Sequence, residues 1–254
     1  MADEAVAYGL WLDHKGRVQA DSHIRLQADN DYLVVSFSLP AAQLLARLQA
    51  YLIADEVELE DQTADWTGVL LWSEGVANLA APAGSLVLPS RRAGLDGVQW
   101  LVPAGRSGDA AAELKRVSAR ECDRSAAELA RLRAGMPSIP VDLGPRDLPN
   151  EGGLDDIAIS YTKGCYLGQE VMARLKNLGQ VRRRLHLVQG AGAPPAPGTA
   201  LYQGERKVGE TRSAAADGEN FLALVMVSMV NLDVAAGLSV APGGATTLKT
   251  LHRV

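Results

Sequence analysis

The sequence has little cysteine, few aromatic residues and no long apolar run, and the shortage of cysteine excludes whole classes of site. Its 254 residues include two cysteines, Cys122 and Cys165. Without a C-x-x-C pair, two thiols form neither a disulfide framework nor a self-sufficient zinc or iron–sulfur site. Cysteine usage this sparse is typical of a reducing compartment.

Membrane spans and broad nucleic-acid surfaces are also not indicated. The longest apolar run, from Phe221 to Val227, is too short to cross a bilayer. The first residues contain neither the basic nor the apolar segment of a secretory signal. The formal net charge of −5 argues against a surface covered in positive charge for nucleic acid. We therefore expect a cytoplasmic protein with no membrane partner.

Short strands punctuated by glycine dominate the C-terminal part of the sequence. They follow a turn rich in proline and glycine at 190–198, and lie at 200–202, 207–211, 221–227 and 239–241. Strands of this length and spacing are typical of a small β-barrel. Before them, strand-like and helix-like segments are mixed. The sequence thus predicts an α+β region over 1–180 and a C-terminal β-barrel over 181–254.

The most informative segment reads Lys-Gly-Cys-Tyr-Leu-Gly-Gln-Glu, from Lys163 to Glu170. Its two glycines allow backbone conformations and close approaches that other residues do not. Lys163 places a positive charge beside the thiol of Cys165. Taken alone, a cysteine next to a glycine is more often a buried thiol in a turn between a strand and a helix.

As a whole, this segment resembles the signature K-G-C-Y-x-G-Q-E, with all seven specified positions matched. The signature marks the YgfZ-type folate-binding proteins, a branch of the aminomethyltransferase (glycine-cleavage T-protein) superfamily linked to iron–sulfur cluster maintenance. The segment from Tyr8 to Asp21 resembles that family's G-x-x-x-D-x-x-G-R-x-x-x-D, and 198–213 resembles its C-terminal barrel. The resemblance implies an aminomethyltransferase-like folate-binding domain of mixed helices and antiparallel sheets before the barrel. Family members usually have a further helix and strand before the Tyr8 segment, so we expect their folate pocket to be partly absent or rebuilt here.

The resemblance also assigns folate-binding roles. Glu151 would face the pterin ring of tetrahydrofolate or a derivative, since a carboxylate accepts both hydrogens of an amidine-like N–H pair. Asp21 would bind the N5–N10 edge of folate and accept a proton. Without the resemblance, these residues would be a surface glutamate and an edge-strand aspartate. Tyr166, Gln169 and Arg174 complete the expected set of folate-binding residues.

Any chemistry is expected from Cys165, Lys163 and Asp21. Nucleophilic catalysis by the thiol needs a base, and the sequence links none of the four histidines to Cys165. One cysteine can instead supply a single ligand to an iron–sulfur cluster shared with a partner protein. Cys122 precedes a predicted helix whose capping box is Ser125 to Glu128, and we expect it to be an inert, packed thiol.

Three functions remain open on this basis. The first is a non-catalytic folate-binding accessory protein in iron–sulfur cluster assembly or repair, which supports tRNA-modifying iron–sulfur enzymes and binds assembly or client proteins. The second is a folate-dependent aminomethyltransferase-like C1 transferase. Two features argue against it, because that branch has a second aspartate where Ala20 stands and usually an aromatic residue in place of Cys165. The third is a binding module that uses the basic strand Arg182–Arg184. Direct nucleic-acid binding is not expected, since this strand lacks interleaved aromatic residues.

Overall fold

The computed structural model of the chain describes residues 6–90, 92, 97–179 and 181–254. The chain divides into two compact units. Unit 1 contains Met1–Tyr8 and Asp21–Cys122, and unit 2 contains Gly9–Ala20 and Asp123–Val254. The division into domains at residue 180 stays a prediction.

Unit 1 is built on β-sheet with two short helices. Its helices are α1 (Ala41–Gln49) and α2 (Ser107–Arg116), and its strands belong to two antiparallel sheets. One sheet has the order β1 (Val6–Leu12), β2 (Val18–Ala28), β3 (Asp31–Ser36). Strand β1 ends in the part of the chain assigned to unit 2, and β2 begins there. The other has the order β4 (Trp66–Trp72), β6 (Gly97–Pro103), β5 (Leu86–Ser90). The central strand β6 supplies the core of the unit through Val98, Trp100 and Val102.

Unit 2 combines three helices with a five-stranded antiparallel sheet. The helices are α3 (Arg124–Arg133), α4 (Asp155–Ala158) and α5 (Gln169–Leu178). The strands are β7 (Arg183–Ala191), β8 (Ala200–Gln203), β9 (Arg206–Asp217), β10 (Asn220–Ser228) and β11 (Leu248–Arg253), in the order β11-β7-β10-β9-β8.

Strand β10 shows why the longest apolar run of the sequence is a strand. Its odd-numbered residues from Phe221 to Val227 pack in one buried cluster, together with Val188 and Leu201. The intervening Leu222 and Leu224 pack on the other face, against α3 and β7. A strand buried on both faces is a continuous apolar run rather than an alternating pattern.

Both edge strands of the sheet in unit 2 pair with the 238–239 segment through single β-bridges. Tyr202 of β8 pairs with Ser239, and Leu238 pairs with Leu248 of β11. The predicted strand at 239–241 is therefore wrong in this detail, because the segment contributes bridges rather than a full strand. The basic strand expected at Arg182–Arg184 begins at Arg183 and continues to Ala191.

The helices are short, and α3 begins with a different cap from the predicted one. The carboxylate of Asp123 accepts the N–H of Ala126 and also the hydroxyl of Ser125. The predicted capping box at Ser125 is wrong, because the helix has already begun at Arg124. Across the described residues, no helix has the length and apolarity needed to cross a membrane.

Candidate functional site

The signature segment forms an exposed turn that leads into the N-terminus of α5. Lys163 and Cys165 are exposed, so the buried thiol that a cysteine beside a glycine would indicate on its own is not found here. The hydroxyl oxygen of Ser160 accepts the N–H of Lys163 at 3.2 Å and stabilises the start of the turn. The Lys163 Nζ lies 4.8 Å from the centre of the Tyr166 ring, within the range of a cation–π contact. The lysine is thus positioned by the same turn that presents the thiol.

Two glycines dock this turn onto the turn between β1 and β2. Gly168 precedes α5 with φ +84°, and a β-carbon there would lie 2.8 Å from the carbonyl oxygen of Asp13. Gly16 has φ +72°, and a β-carbon there would lie 2.7 Å from Cε of Met172. The Asp13 carboxylate closes its own turn by accepting the N–H groups of Lys15 and Arg17, each at 2.8 Å. The two segments that resemble the family are therefore in direct contact within unit 2.

The expected folate-binding residues of this segment differ in exposure. Tyr166 is half-buried, and its hydroxyl is enclosed with no hydrogen-bond partner in the described part of the chain. Burial raises the pKa of Tyr166, and the neighbouring Tyr161 raises it further. Gln169 is half-buried at the first position of α5, and Arg174 is exposed in the middle of that helix.

Glu151 is buried, and Arg183 binds its carboxylate with two parallel hydrogen bonds. Glu151 lies on a 3₁₀ helix, Pro149–Gly152, and its side chain is 6% exposed. Its Oε1 accepts the Nε–H of Arg183 at 3.0 Å, and its Oε2 accepts an Nη2–H at 2.9 Å. Oε2 also accepts the N–H of Leu148 at 2.9 Å. A surface glutamate is thereby excluded, because the carboxylate is part of a bidentate ion pair.

Asp147, Arg212 and Glu210 extend this pair into a cluster of three carboxylates and two guanidinium groups. The Asp147 Oδ1 accepts from Nη2 of Arg183 at 3.2 Å and from Nη2 of Arg212 at 3.0 Å. Its Oδ2 accepts the N–H of Gly144 at 2.9 Å. The side chain of Arg212 is 10% exposed, and its buried Nε has no hydrogen-bond partner among the described residues. No sequence pattern pointed to Asp147 or Arg212, because only the tertiary fold brings them into one cluster with Glu151.

Asp21 lies in unit 1 on the central strand β2, and it is buried. Its Oδ1 accepts the hydroxyl of Ser38 at 2.9 Å. Its Oδ2 accepts the hydroxyl of Tyr8 and an N–H of Arg92, both at 3.3 Å. The guanidinium of Arg92 lies 3.9 Å from the centre of the Phe37 ring. The edge-strand aspartate considered above is wrong, since β2 has a neighbour on each side.

A buried histidine follows on the same strand. The ring of His23 lies 5.2 Å from the ring of Tyr8 and 5.8 Å from that of Phe37, measured between centroids. Its Nδ1 is buried without a hydrogen-bond partner in the part of the chain that the structure describes. Burial lowers the pKa of His23, Arg92 lowers it further, and the charge of Asp21 opposes both. No sequence pattern pointed to this residue.

Cys122 is exposed, so the expectation of a packed thiol is wrong. The residue lies in a non-helical segment before Asp123, which caps α3. A residue outside the helix has no helical face to bury. Among the described residues, no three His, Cys, Asp or Glu side chains are grouped so that they could hold a metal ion.

Comparisons with known proteins agree with the predicted resemblance. The family model described as the CAF17 C-terminal beta-barrel domain matches residues 182–250. The tRNA-modifying protein YgfZ of Vibrio vulnificus CMCP6 is 28% identical over 222 residues, which cover 84% of this chain and 67% of that protein. The mitochondrial iron-sulfur cluster assembly factor IBA57 homolog of Mycosarcoma maydis is 27% identical over 199 residues, which cover 75% of this chain and 48% of that protein.

A solved structure supports the predicted fold. The glycine cleavage system aminomethyltransferase T from Bartonella henselae matches with a TM-score of 0.77, over 98% of this chain and 75% of that one. At 17% identity, this likeness shows the fold alone. With the barrel match, it confirms the α+β prediction of an aminomethyltransferase-like fold with a C-terminal barrel domain.

Proposed function

We propose that this chain, whose relatives are YgfZ and IBA57 proteins, is a folate-binding accessory factor in the assembly or repair of iron–sulfur clusters. Those relatives are named as tRNA-modifying and iron–sulfur cluster assembly proteins. The proposed partners are iron–sulfur assembly or client proteins of the cytoplasm, including enzymes that modify tRNA. The observation that supports this best is an exposed Cys165 on a turn fixed against a second motif of the same unit.

The turn at Cys165 suits a thiol that is presented to another protein. An iron–sulfur cluster takes four protein ligands as a rule, so a lone exposed cysteine would supply one of them and a partner the rest. The cluster is here a cargo passed between proteins. Gly168 fixes the backbone three residues after the thiol, because its contacts leave no room for a side chain. Lys163 is exposed beside the thiol and would attract an anionic partner surface.

Tetrahydrofolate or a derivative is the proposed cofactor, and the donor set supports it chemically. Glu151 already accepts a planar N–C–N pair of N–H donors from Arg183, the kind of pair that a pterin ring presents. Tyr166 adds an enclosed hydroxyl without a partner among the described residues, and Gln169 and Arg174 follow it along the chain. A bound folate would supply a carrier for one-carbon groups, while Glu151 would orient its ring.

We propose an accessory role rather than catalysis. Ala20 stands where the transferase branch has a second aspartate, and Cys165 stands where that branch usually has an aromatic residue. The roles assigned to Lys163 and Asp21 in any reaction stay predictions. An aminomethyltransferase-like transfer of a C1 group is the alternative function, and the likeness to aminomethyltransferase T supports it at the level of fold alone.

Complementation of a bacterial strain that lacks its own YgfZ-type protein tests the proposal. We expect the wild-type chain and Cys122→Ala to restore the activity of an iron–sulfur enzyme in that strain. Cys165→Ala and Cys165→Ser should leave the activity at the level of the empty vector. Immunoblots would verify equal protein amounts. Full restoration by Cys165→Ala would refute the ligand role of this thiol.

A further inference from the structure

We propose that Arg183 is an internal competitor for the Glu151 carboxylate and must leave it before a pterin ring can bind there. The inference rests on the folate binding proposed above and adds a residue that sets its affinity. Arg183 belongs to the basic strand Arg182–Arg184, which the sequence offered as a binding surface. The structure instead directs its guanidinium into the chain's own carboxylates.

The competition follows from the geometry of the ion pair. A carboxylate offers about four lone-pair positions, and three hydrogen bonds already reach Glu151. Two of them come from neighbouring nitrogens of one planar guanidinium, which is the arrangement that the amino and ring N–H groups of a pterin would need. The ring and the guanidinium therefore cannot bind this carboxylate edge together.

Arg183 can leave Glu151 without unfolding the sheet. It is the first residue of β7, and its side chain is 38% exposed, whereas that of Glu151 is 6% exposed. Its Nη2 also donates to the carbonyl oxygen of Arg146 at 3.0 Å and to Asp147 at 3.2 Å. A rotation of the side chain would thus exchange the bonds to Glu151 for bonds to water.

Arg212 explains why the cluster tolerates this exchange. It binds Asp147 at 3.0 Å from a position that is 10% exposed, and it also lies 3.5 Å from the carboxylate of Glu210. When Arg183 leaves, Arg212 still neutralises Asp147, and the pterin would take the place of Arg183 at Glu151. Because a charged donor pair is exchanged for a neutral one, we expect the wild-type chain to bind folate weakly.

Calorimetric titration of tetrahydrofolate into wild-type, Arg183→Gln and Arg182→Gln protein tests the competition. Arg182 is exposed one residue earlier and serves as the matched control. We expect Arg183→Gln to bind at least about tenfold more tightly than the wild type, and Arg182→Gln to bind like the wild type. A tenfold change corresponds to about 1.4 kcal/mol.

Two further measurements keep the test decisive. Arg183→Lys retains the charge but cannot form two parallel hydrogen bonds, so it should bind more tightly than the wild type even if Arg183→Gln fails to fold. Methylguanidinium should compete with folate for Glu151 in Arg183→Gln and raise the apparent Kd for folate, because it replaces the guanidinium that this variant lacks. In the wild type, where Arg183 fills the position, it should have no effect.

The outcomes separate this inference from the proposed function. If the wild type and the folded Arg183 variants bind folate with equal affinity, the competition is refuted and folate binding stands. If no variant binds at millimolar folate, the proposed cofactor is refuted together with the competition. In that case, the complementation assay with the Cys165 variants still tests the iron–sulfur role independently.

Discussion

A β-carbon on Gly168 would lie 2.8 Å from the Cα of Gly16. This distance is shorter than any normal contact between carbon atoms, so the signature turn needs a glycine at position 168 to lie against the turn at Gly16. The signature turn that holds Cys165 is thereby fixed to the turn between β1 and β2. The position of the thiol depends on this contact.

Gly168→Ala should destabilise the protein and disturb the Cys165 turn. The new methyl group would meet backbone atoms, and the positive φ is unfavourable for alanine. We expect a loss of about 1–3 kcal/mol in the free energy of unfolding, measured in urea. Gly164→Ala is the control, because a β-carbon at 164 has no atom within 4 Å. Equal stability of the two variants would contradict the role given to the close contact.

Both thiols should react in the native protein. Cys122 and Cys165 are exposed, so alkylation followed by mass spectrometry should label each before unfolding. Single-cysteine variants would give the two rates separately. Function should nevertheless depend on Cys165 alone in the complementation assay. A Cys122 that reacts only in denaturant would contradict the exposure seen here.

His23 should make the stability depend on pH. Because burial lowers its pKa in the folded state, the unfolded chain binds more protons once the pH falls below about 6.5. The free energy of unfolding should therefore fall as the pH is lowered from about 6.5 to the lowered pKa of the folded state. Urea unfolding between pH 5 and pH 8 should show a smaller decrease for His23→Phe than for the wild type. His14→Gln at an exposed position should leave the difference unchanged.

Direct binding of tRNA should be weak and should disappear with salt. Of the basic strand, Arg182 is exposed and Arg184 is half-buried, while Arg183 is paired with Asp147 and Glu151. Few of these charges are therefore available to phosphates. In a fluorescence titration we expect binding at about 50 mM salt to be largely lost by about 200 mM. Tight, sequence-selective binding at the higher salt would contradict this expectation.

The sequence by itself was sufficient to predict the fold class and to identify 163–170 as the segment that carries the family signature. Local patterns were sufficient there. The apolar run from Phe221 to Val227 predicts a buried strand, and β10 is that strand. The two glycines of the signature predict a close approach of backbones. Gly168 makes one, because a β-carbon there would lie 2.8 Å from backbone atoms of Asp13 and Gly16. At Gly164, however, no such approach occurs.

Local patterns were less reliable at the ends of elements. Ser125 and Glu128 have the spacing of a capping box, yet Asp123 begins α3. The competing caps differ by two positions and by a fraction of a kcal/mol, so the rest of the fold decides between them. Cys122 precedes either cap, and its exposure was therefore decided by the packing around the segment rather than by the helix boundary.

Only the tertiary structure decided which groups meet at Glu151. Arg183 is 32 positions away in the chain, and Asp147 meets Arg212 across 65 positions. Charged residues in a sequence do not specify their partners, because the fold decides which carboxylate and guanidinium groups are brought together, and a buried charge is stable only when it is paired. The sequence therefore identified Glu151 as a candidate ligand-binding carboxylate. Only the packing of β7 and β9 against the 147–151 segment placed the guanidinium groups of Arg183 and Arg212 beside it and Asp147.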